Sequence, residues 1–207
     1  ILVLGDESSG GVFQYTKSMI DALVGCQANE YIIFCNKKIK AFDSYNFELR
    51  KLYLPKLNII KKVIRFIQLL FSIRRPFFFK SKEFQLFEDI DIFLLPKNGL
   101  YPHYYLNKPY IMTLHDMQER YFPEYFTKFE LAMRYIIRKK LTKYARKVIC
   151  ESNYVKNDII RFLGISESKI KVVESPPPKT LLSFVKNDKI SDAVKVKYKL
   201  PQKYIYY

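Results

Sequence analysis

The sequence predicts an α/β fold with a mainly parallel sheet, and three observations predict it. Short apolar runs bounded by Gly, Pro or Asp alternate with amphipathic stretches of helical period, as strand–helix–strand units require. The first run, Ile1-Leu2-Val3-Leu4, is followed by a Gly10-Gly11 pair and then by a helical pattern. At 207 residues, 49% hydrophobic and 27% charged, the chain has an ordinary globular composition and enough length for a substantial core.

Residues 1–4 form a continuous apolar run, the pattern of a strand buried on both faces. Ser8 and Ser9 precede the glycine pair and are potential helix caps. Val12, Thr16, Met19, Ile20 and Leu23 then repeat at helical spacing, and Gly25 stops that helix. Strands are predicted at 31–35 and 48–54, the second ending at Pro55. From 58 to 75, polar positions step by three or four and leave a wide apolar face, with Pro76 as the stop. Strands follow at 92–95 and 110–114, a helix at 129–143 with aromatic and aliphatic residues inward and Lys/Arg outward, and a strand at 148–150. A helix at 153–163 closes on Gly164, and a strand occupies 170–173. Pro176-Pro177-Pro178 breaks regular structure, 186–199 is a charged, weakly helical stretch, and 204–207 reads as another strand starting.

The net charge of +16 is concentrated: residues 37–82 carry thirteen Lys or Arg against Asp43 and Glu48, and 127–147 carry eight against Glu130. Such surfaces attract nucleic acid, anionic lipid or acidic substrates, although solvated helix faces in a lysine-rich protein give the same count. Cys26, Cys35 and Cys150 are odd in number with no CxxC, which argues against a disulfide framework and suits buried thiols in a reducing compartment. No run approaches the length of a membrane span, and no secretory signal is visible.

The segment Gly5 to Val12 has Walker A spacing as far as Gly10 but offers Gly11 and Val12 where Lys and Ser/Thr are needed, and it lacks the GxGxxG spacing. What remains is backbone without side chains at a helix N-terminus, which suits either a phosphate or an empty tight turn. His115, one of two histidines, ends the strand at 110–114 beside Asp116 and reads either as a hydrogen-bonded structural group or as a catalyst. Neither His103 nor His115 has metal-ligand spacing. Asp89-Ile90-Asp91 is a DxD that precedes a strand instead of following one, which favours a solvated strand entry over a metal site.

Taken together the motifs carry a family resemblance. Tyr110 to Phe126, an apolar strand running into His115-Asp116 with Pro123-Glu124-Tyr125 seven residues later, resembles the hallmark of retaining GT-B glycosyltransferases of group 1, family 4-like. Gly10-Gly11 with Tyr15 resembles the same family's amino-terminal loop. Val148 to Ile159, with Ser152 placed to cap the next helix near the cleft, then Gly164-Ile165 and Lys169 to Val173, follow in that family's order.

The resemblance implies one Rossmann-like, doubly wound half of a GT-B enzyme, with helices on both sheet faces and the reaction in a cleft between two halves. Residues 1–200 would be the amino-terminal, acceptor-side domain, and 201–207 the start of a truncated donor domain. It implies transfer of a sugar from a nucleoside-diphosphate sugar to a hydroxyl with retention and no metal or other cofactor, in cell-surface glycan or lipopolysaccharide synthesis. His115 and Asp116 take the catalytic positions, Gly10 and Gly11 the donor phosphates, and Tyr15, Gln118 and Arg120 the acceptor. The partners implied are the nucleotide sugar and a glycan or lipid-linked acceptor, the location cytoplasmic, and the fragment inactive by itself. For the basic helix at 58–75, packing of its apolar face on the sheet is the favoured expectation, and peripheral contact with an anionic inner membrane face the other. Two rival readings remain. A basic nucleic-acid-binding protein lacks any recognisable reader motif, so no nucleic acid is expected; a non-catalytic sugar- or partner-binding half domain is the other.

Overall fold

The computed structural model describes residues 1–3, 8, 10–26, 28–53, 58–75, 77, 84–175 and 196–199. The chain divides into two compact units, Ile1–Glu174 and Ser175–Tyr207. In the second, the described residues are Ser175 and a helical turn at 196–199. The domain boundary expected at 200, the prolines at 176–178 and the strand expected at 204–207 lie outside the described residues.

Every strand described in the first unit pairs in parallel. β1 (Leu2–Val3), β2 (Ile32–Cys35) and β3 (Glu48–Lys51) form one ladder; β4 (Phe93–Leu95), β5 (Tyr110–Thr113), β6 (Lys147–Cys150) and β7 (Ile170–Val172) form a second. β1 lies beside β4. The strands therefore run β3-β2-β1-β4-β5-β6-β7, and the winding reverses between β1 and β4. In such sheets the reversal leaves a crevice at the carboxyl edge, the usual ligand position.

Side chains alternate between the two sheet faces and so build two cores. Val3, Ile33 and Cys35 meet Ile20 of α1 (Gly11–Val24) on one side. Leu2, Phe34 and Phe93 share the other with Leu69 of α2 (Ile59–Leu70) and Tyr104 of α3 (His103–Leu106). Leu141 of α4 (Lys128–Tyr144) and Ile159 of α5 (Asn153–Leu163) complete that second core. The result is a doubly wound, Rossmann-like sheet with helices on both faces.

Several local expectations are corrected. The N-cap of α1 is Gly10, whose φ of 58° and ψ of −131° suit glycine and which has no side chain to cap with; Ser9, a potential cap, lies outside the described residues. Between the strands expected at 92–95 and 110–114, where no element was expected, residues 103–106 make the short helix α3. α2 stops at Leu70, well before Pro76, because Ser72 turns left-handed at φ 58°. Ser72 N–H then donates to Leu69 O and Ile73 N–H to Gln68 O, a Schellman closure that satisfies the last carbonyls.

The larger corrections concern which faces are buried. Leu69 and Gln68 are the buried residues of α2, whereas Ile59, Ile60, Val63, Phe66, Ile67 and Leu70 are exposed. Its apolar face does not pack on the sheet. On α4 the expectation holds for Leu141, which is buried, for Met133, Ile136 and Ile137, which pack on the core, and for the exposed Lys139 and Lys143; Phe129, exposed, and Arg138, buried, are the exceptions. The reason for Arg138 is a specific partner: it forms an ion pair with buried Glu119.

Candidate functional site

Four strand ends converge beside the switch point. Gly10 follows β1, Pro96 follows β4, His115 follows β5 and Glu151 follows β6. The imidazole of His115 bridges its two neighbours: Nε2 lies 2.7 Å from Pro96 O and Nδ1 lies 3.0 Å from Glu151 Oε2. A carbonyl only accepts, so the Pro96 contact places a proton on Nε2. Both side chains remain partly open to solvent.

Tyr15 brings α1 to this ring. It packs edge-on against the His115 imidazole with centroids 4.8 Å apart, and its hydroxyl lies 3.2 Å from Thr113 Oγ1 at the end of β5. Burial, reinforced by the Glu151 charge, holds the Tyr15 phenol above its usual pKa, so it is a neutral wall of the site. Tyr15 stands four residues after Gly11, which places the Gly11 amide about 6 Å further along the axis at 1.5 Å per residue. Helical amides of a first turn have no carbonyl partner within the helix and point outward with its positive dipole end.

The loop after His115 is fastened from α4. Asp116 Oδ1 accepts from Gln118 N–H at 3.3 Å and lies 3.5 Å from Arg138 Nη2. Arg138 also donates to Glu119 and to Met117 Sδ, so one buried guanidinium ties three positions of the loop. Ser152 Oγ accepts from Val155 N–H and caps α5 directly after Glu151.

The remaining expected residues are distributed unevenly. Gln118 is exposed on the loop beside Asp116. Arg120 is turned elsewhere: its guanidinium stacks over Tyr135 at 4.8 Å and Phe162 at 5.5 Å, on α4 and α5. Asp89 of the DxD is engaged by Arg50, with contacts of 2.5 and 2.7 Å, and that guanidinium holds the carboxyl below its ordinary range. Among the described residues no cluster of three or more His, Cys, Asp or Glu is placed to hold a metal. None of their helices is long and apolar enough to cross a membrane.

Sequence reasoning missed Glu151, Glu119 and Arg138. Glu151 carried one usable signal, its place immediately after a strand at the same sheet edge as His115. Arg138 carried none, since a basic residue in a basic helix reads as solvated.

The fold has likenesses among solved structures. A solved structure of Anabaena Alr3699/HepE in complex with UDP is similar at 14% identity, over 85% of this chain and 43% of that one, with a TM-score of 0.52. The wall teichoic acid polymerase TagF (13% identity, TM-score 0.45, 90% of this chain and 40% of that) and a Rickettsia africae glycosyltransferase (15%, 0.43, 98% and 49%) are also similar. The chain thus spans less than half the length of each. No curated protein matches the sequence. The family model of Glycosyltransferase Family 4 covers residues 9–176, most of the chain, and includes Gly10, Tyr15, His115 and Glu151. This chain belongs to Glycosyltransferase Family 4.

Proposed function

We propose that this chain is the acceptor-side half of a retaining glycosyltransferase. The whole protein moves a sugar from a nucleoside-diphosphate sugar to a hydroxyl of a glycan or lipid-linked acceptor, in making a cell-surface glycan or lipopolysaccharide. The observation that carries the reading is the contact of Tyr15 with His115, which sets the first turn of α1 beside the carboxyl end of β5.

In this reading the Gly10 and Gly11 amides face the donor diphosphate as it leaves. Fixed N–H dipoles aimed at developing negative charge lower the barrier without reorganisation, so no metal is required for that step. His115 is held at both nitrogens, so a polar contact or a proton transfer from the ring to the transferred sugar would first break the bond to Pro96 or Glu151. Asp116 keeps the His115 loop in register through Gln118 N–H and Arg138. Tyr15 and Gln118 border the acceptor side, and Arg120 reaches it only by leaving Tyr135 and Phe162. The buried thiols of Cys35 and Cys150, neither in a disulfide, fit a cytoplasmic protein that draws on nucleotide sugars.

The test uses the whole protein with a panel of nucleotide sugars, with and without chelator, and reads the anomeric configuration of the product by NMR. Chelator-resistant transfer with retention, lost in His115→Ala and absent from the 207-residue chain alone, is the expected result. Inversion, or a strict metal requirement, would overturn the mechanism. Turnover by the 207-residue chain alone would overturn the assignment of the donor site to another half.

A further inference from the structure

We propose that the hollow between α4 and α5 is a binding site for a small soluble organic phosphate, held by Arg120 and Arg161. The hollow measures about 430 Å³, within the range of small-molecule sites. Leu131, Ala132 and Tyr135 of α4 and Phe162 of α5 give it an apolar lining, and the two arginines give it charge. Arg120, expected at the acceptor, lines this hollow instead.

Both guanidiniums are positioned by aromatic rings. Arg120 lies over Tyr135 at 4.8 Å and Phe162 at 5.5 Å, and Arg161 lies 5.1 Å from the centre of that same Phe162 ring. One ring thus joins the two charges. Stacking uses the face of a guanidinium and leaves its N–H donors free at the rim, in the plane of the fork. Among the described residues no oxygen accepts from either side chain, and neither forms an ion pair. The acids nearest to them in sequence are already engaged. Glu119 pairs with Arg138, and Asp158, one turn before Arg161 on α5, accepts from the Tyr121 hydroxyl at 2.5 Å. Lys139 Nζ, 3.0 Å from the Tyr135 hydroxyl, adds a third cation beside the lining.

These groups select the occupant. Two forks with unused donors, beside a third cation, match an anion with more than one charge and three acceptor oxygens, which a phosphate monoester has and a carboxylate lacks. The neighbouring rings and aliphatic side chains suit an organic body on that phosphate. An acidic protein surface fits less well, because a stable protein contact spreads over about 800 Å² of each partner, whereas these cations gather at one hollow. The turn Gln118–Arg120 serves two places: Gln118 N–H donates to Asp116 beside His115, and Arg120 lines the hollow. The inference uses stacking, charge and size alone, and so does not rest on the sugar-transfer reading.

Isothermal titration of the whole protein with phenyl phosphate tests this. Saturable binding is expected, with benzoate, the carboxylate of the same ring, ~tenfold weaker or more. Arg161→Gln, at an exposed side chain, should weaken phenyl phosphate by about tenfold or more without changing the circular-dichroism melt, and Arg120→Gln should weaken it by a similar factor. Gly11→Ala should leave this affinity at the parental value. In protein labelled with 15N-arginine, the Nε–H signals of Arg120 and Arg161 should both move during the titration. The proposal is overturned if phenyl phosphate does not saturate, if either Gln variant binds it as the parent does, or if the two signals stay in place. It is also overturned if benzoate or a hexaglutamate peptide binds as tightly, or if Gly11→Ala abolishes binding, which would assign the phosphate to the glycine turn.

Discussion

His115 and Glu151 meet at 3.0 Å, ring nitrogen to carboxylate, and so join the ends of β5 and β6. Because Pro96 O occupies the other nitrogen, Glu151 is the side chain that holds the ring on the Nδ1 side. Glu151→Gln keeps the shape and removes the charge, and should lower unfolding free energy by about 1–2 kcal/mol, the scale of a charge-assisted bond. Denaturant melts read the energy, and 15N shifts of the imidazole read the ring. Parental values for both in Glu151→Gln would show that the pair is not formed in solution.

The two glycines should separate folding from binding. Nothing lies within 4 Å of a Cβ built on Gly11, and its backbone is helical, so Gly11→Ala should stabilise the chain by up to about 1 kcal/mol. The added methyl stands at the proposed phosphate contact, so donor affinity of the whole protein should fall as the melting temperature rises. Gly10→Ala meets no neighbour either, but the positive φ makes it cost about 1–3 kcal/mol. Paired melts and donor titrations of both variants check this; unchanged donor affinity in Gly11→Ala would remove the glycine turn from the site.

Arg138 and Glu119 form a buried ion pair beneath the His115 loop. Removing one partner strands the other charge, so Arg138→Met should cost about 3–5 kcal/mol. The double variant Arg138→Met/Glu119→Leu should recover most of that loss, since the pair's desolvation is then gone. A double-mutant cycle by denaturant melts decides it, and additive losses would contradict the pairing.

His103 gives the fold an acid limit. Burial, with the nearby Arg74 charge, pushes its pKa from 6.5 down to about 3. The unfolded chain therefore takes up this proton first as pH falls. Stability from this group is complete above about pH 6.5 and declines by about 1.4 kcal/mol per unit below it, until the folded pKa is reached. His103→Phe, which keeps an aromatic ring beside Phe93 and Tyr110, should flatten that slope in melts taken across this range. An unchanged slope would assign the acid limit to other groups.

Local rules made much of the fold legible. Thr127 and Glu130 form a capping box that starts α4, and Ser152 and Gly164 bound α5 at the residues expected. The apolar runs that became β2, β4, β5 and β6 sit within a residue or two of their expected limits. Where a boundary was misplaced, as at Ser72, the cause was a left-handed turn at a residue that does not advertise one.

The amino-acid sequence by itself determined the alternation of strands and helices, the glycine turn, and the position of His115 at a strand end. These follow from period, cap and breaker chemistry acting over a few residues. Tertiary structure alone decided that Glu151 and Pro96 clamp His115, that Arg138 turns inward to Glu119, and that the apolar side of α2 faces out. Each of those depends on partners 19 or more positions away, and periodicity shows that a helix has two faces without saying which one the rest of the chain will cover.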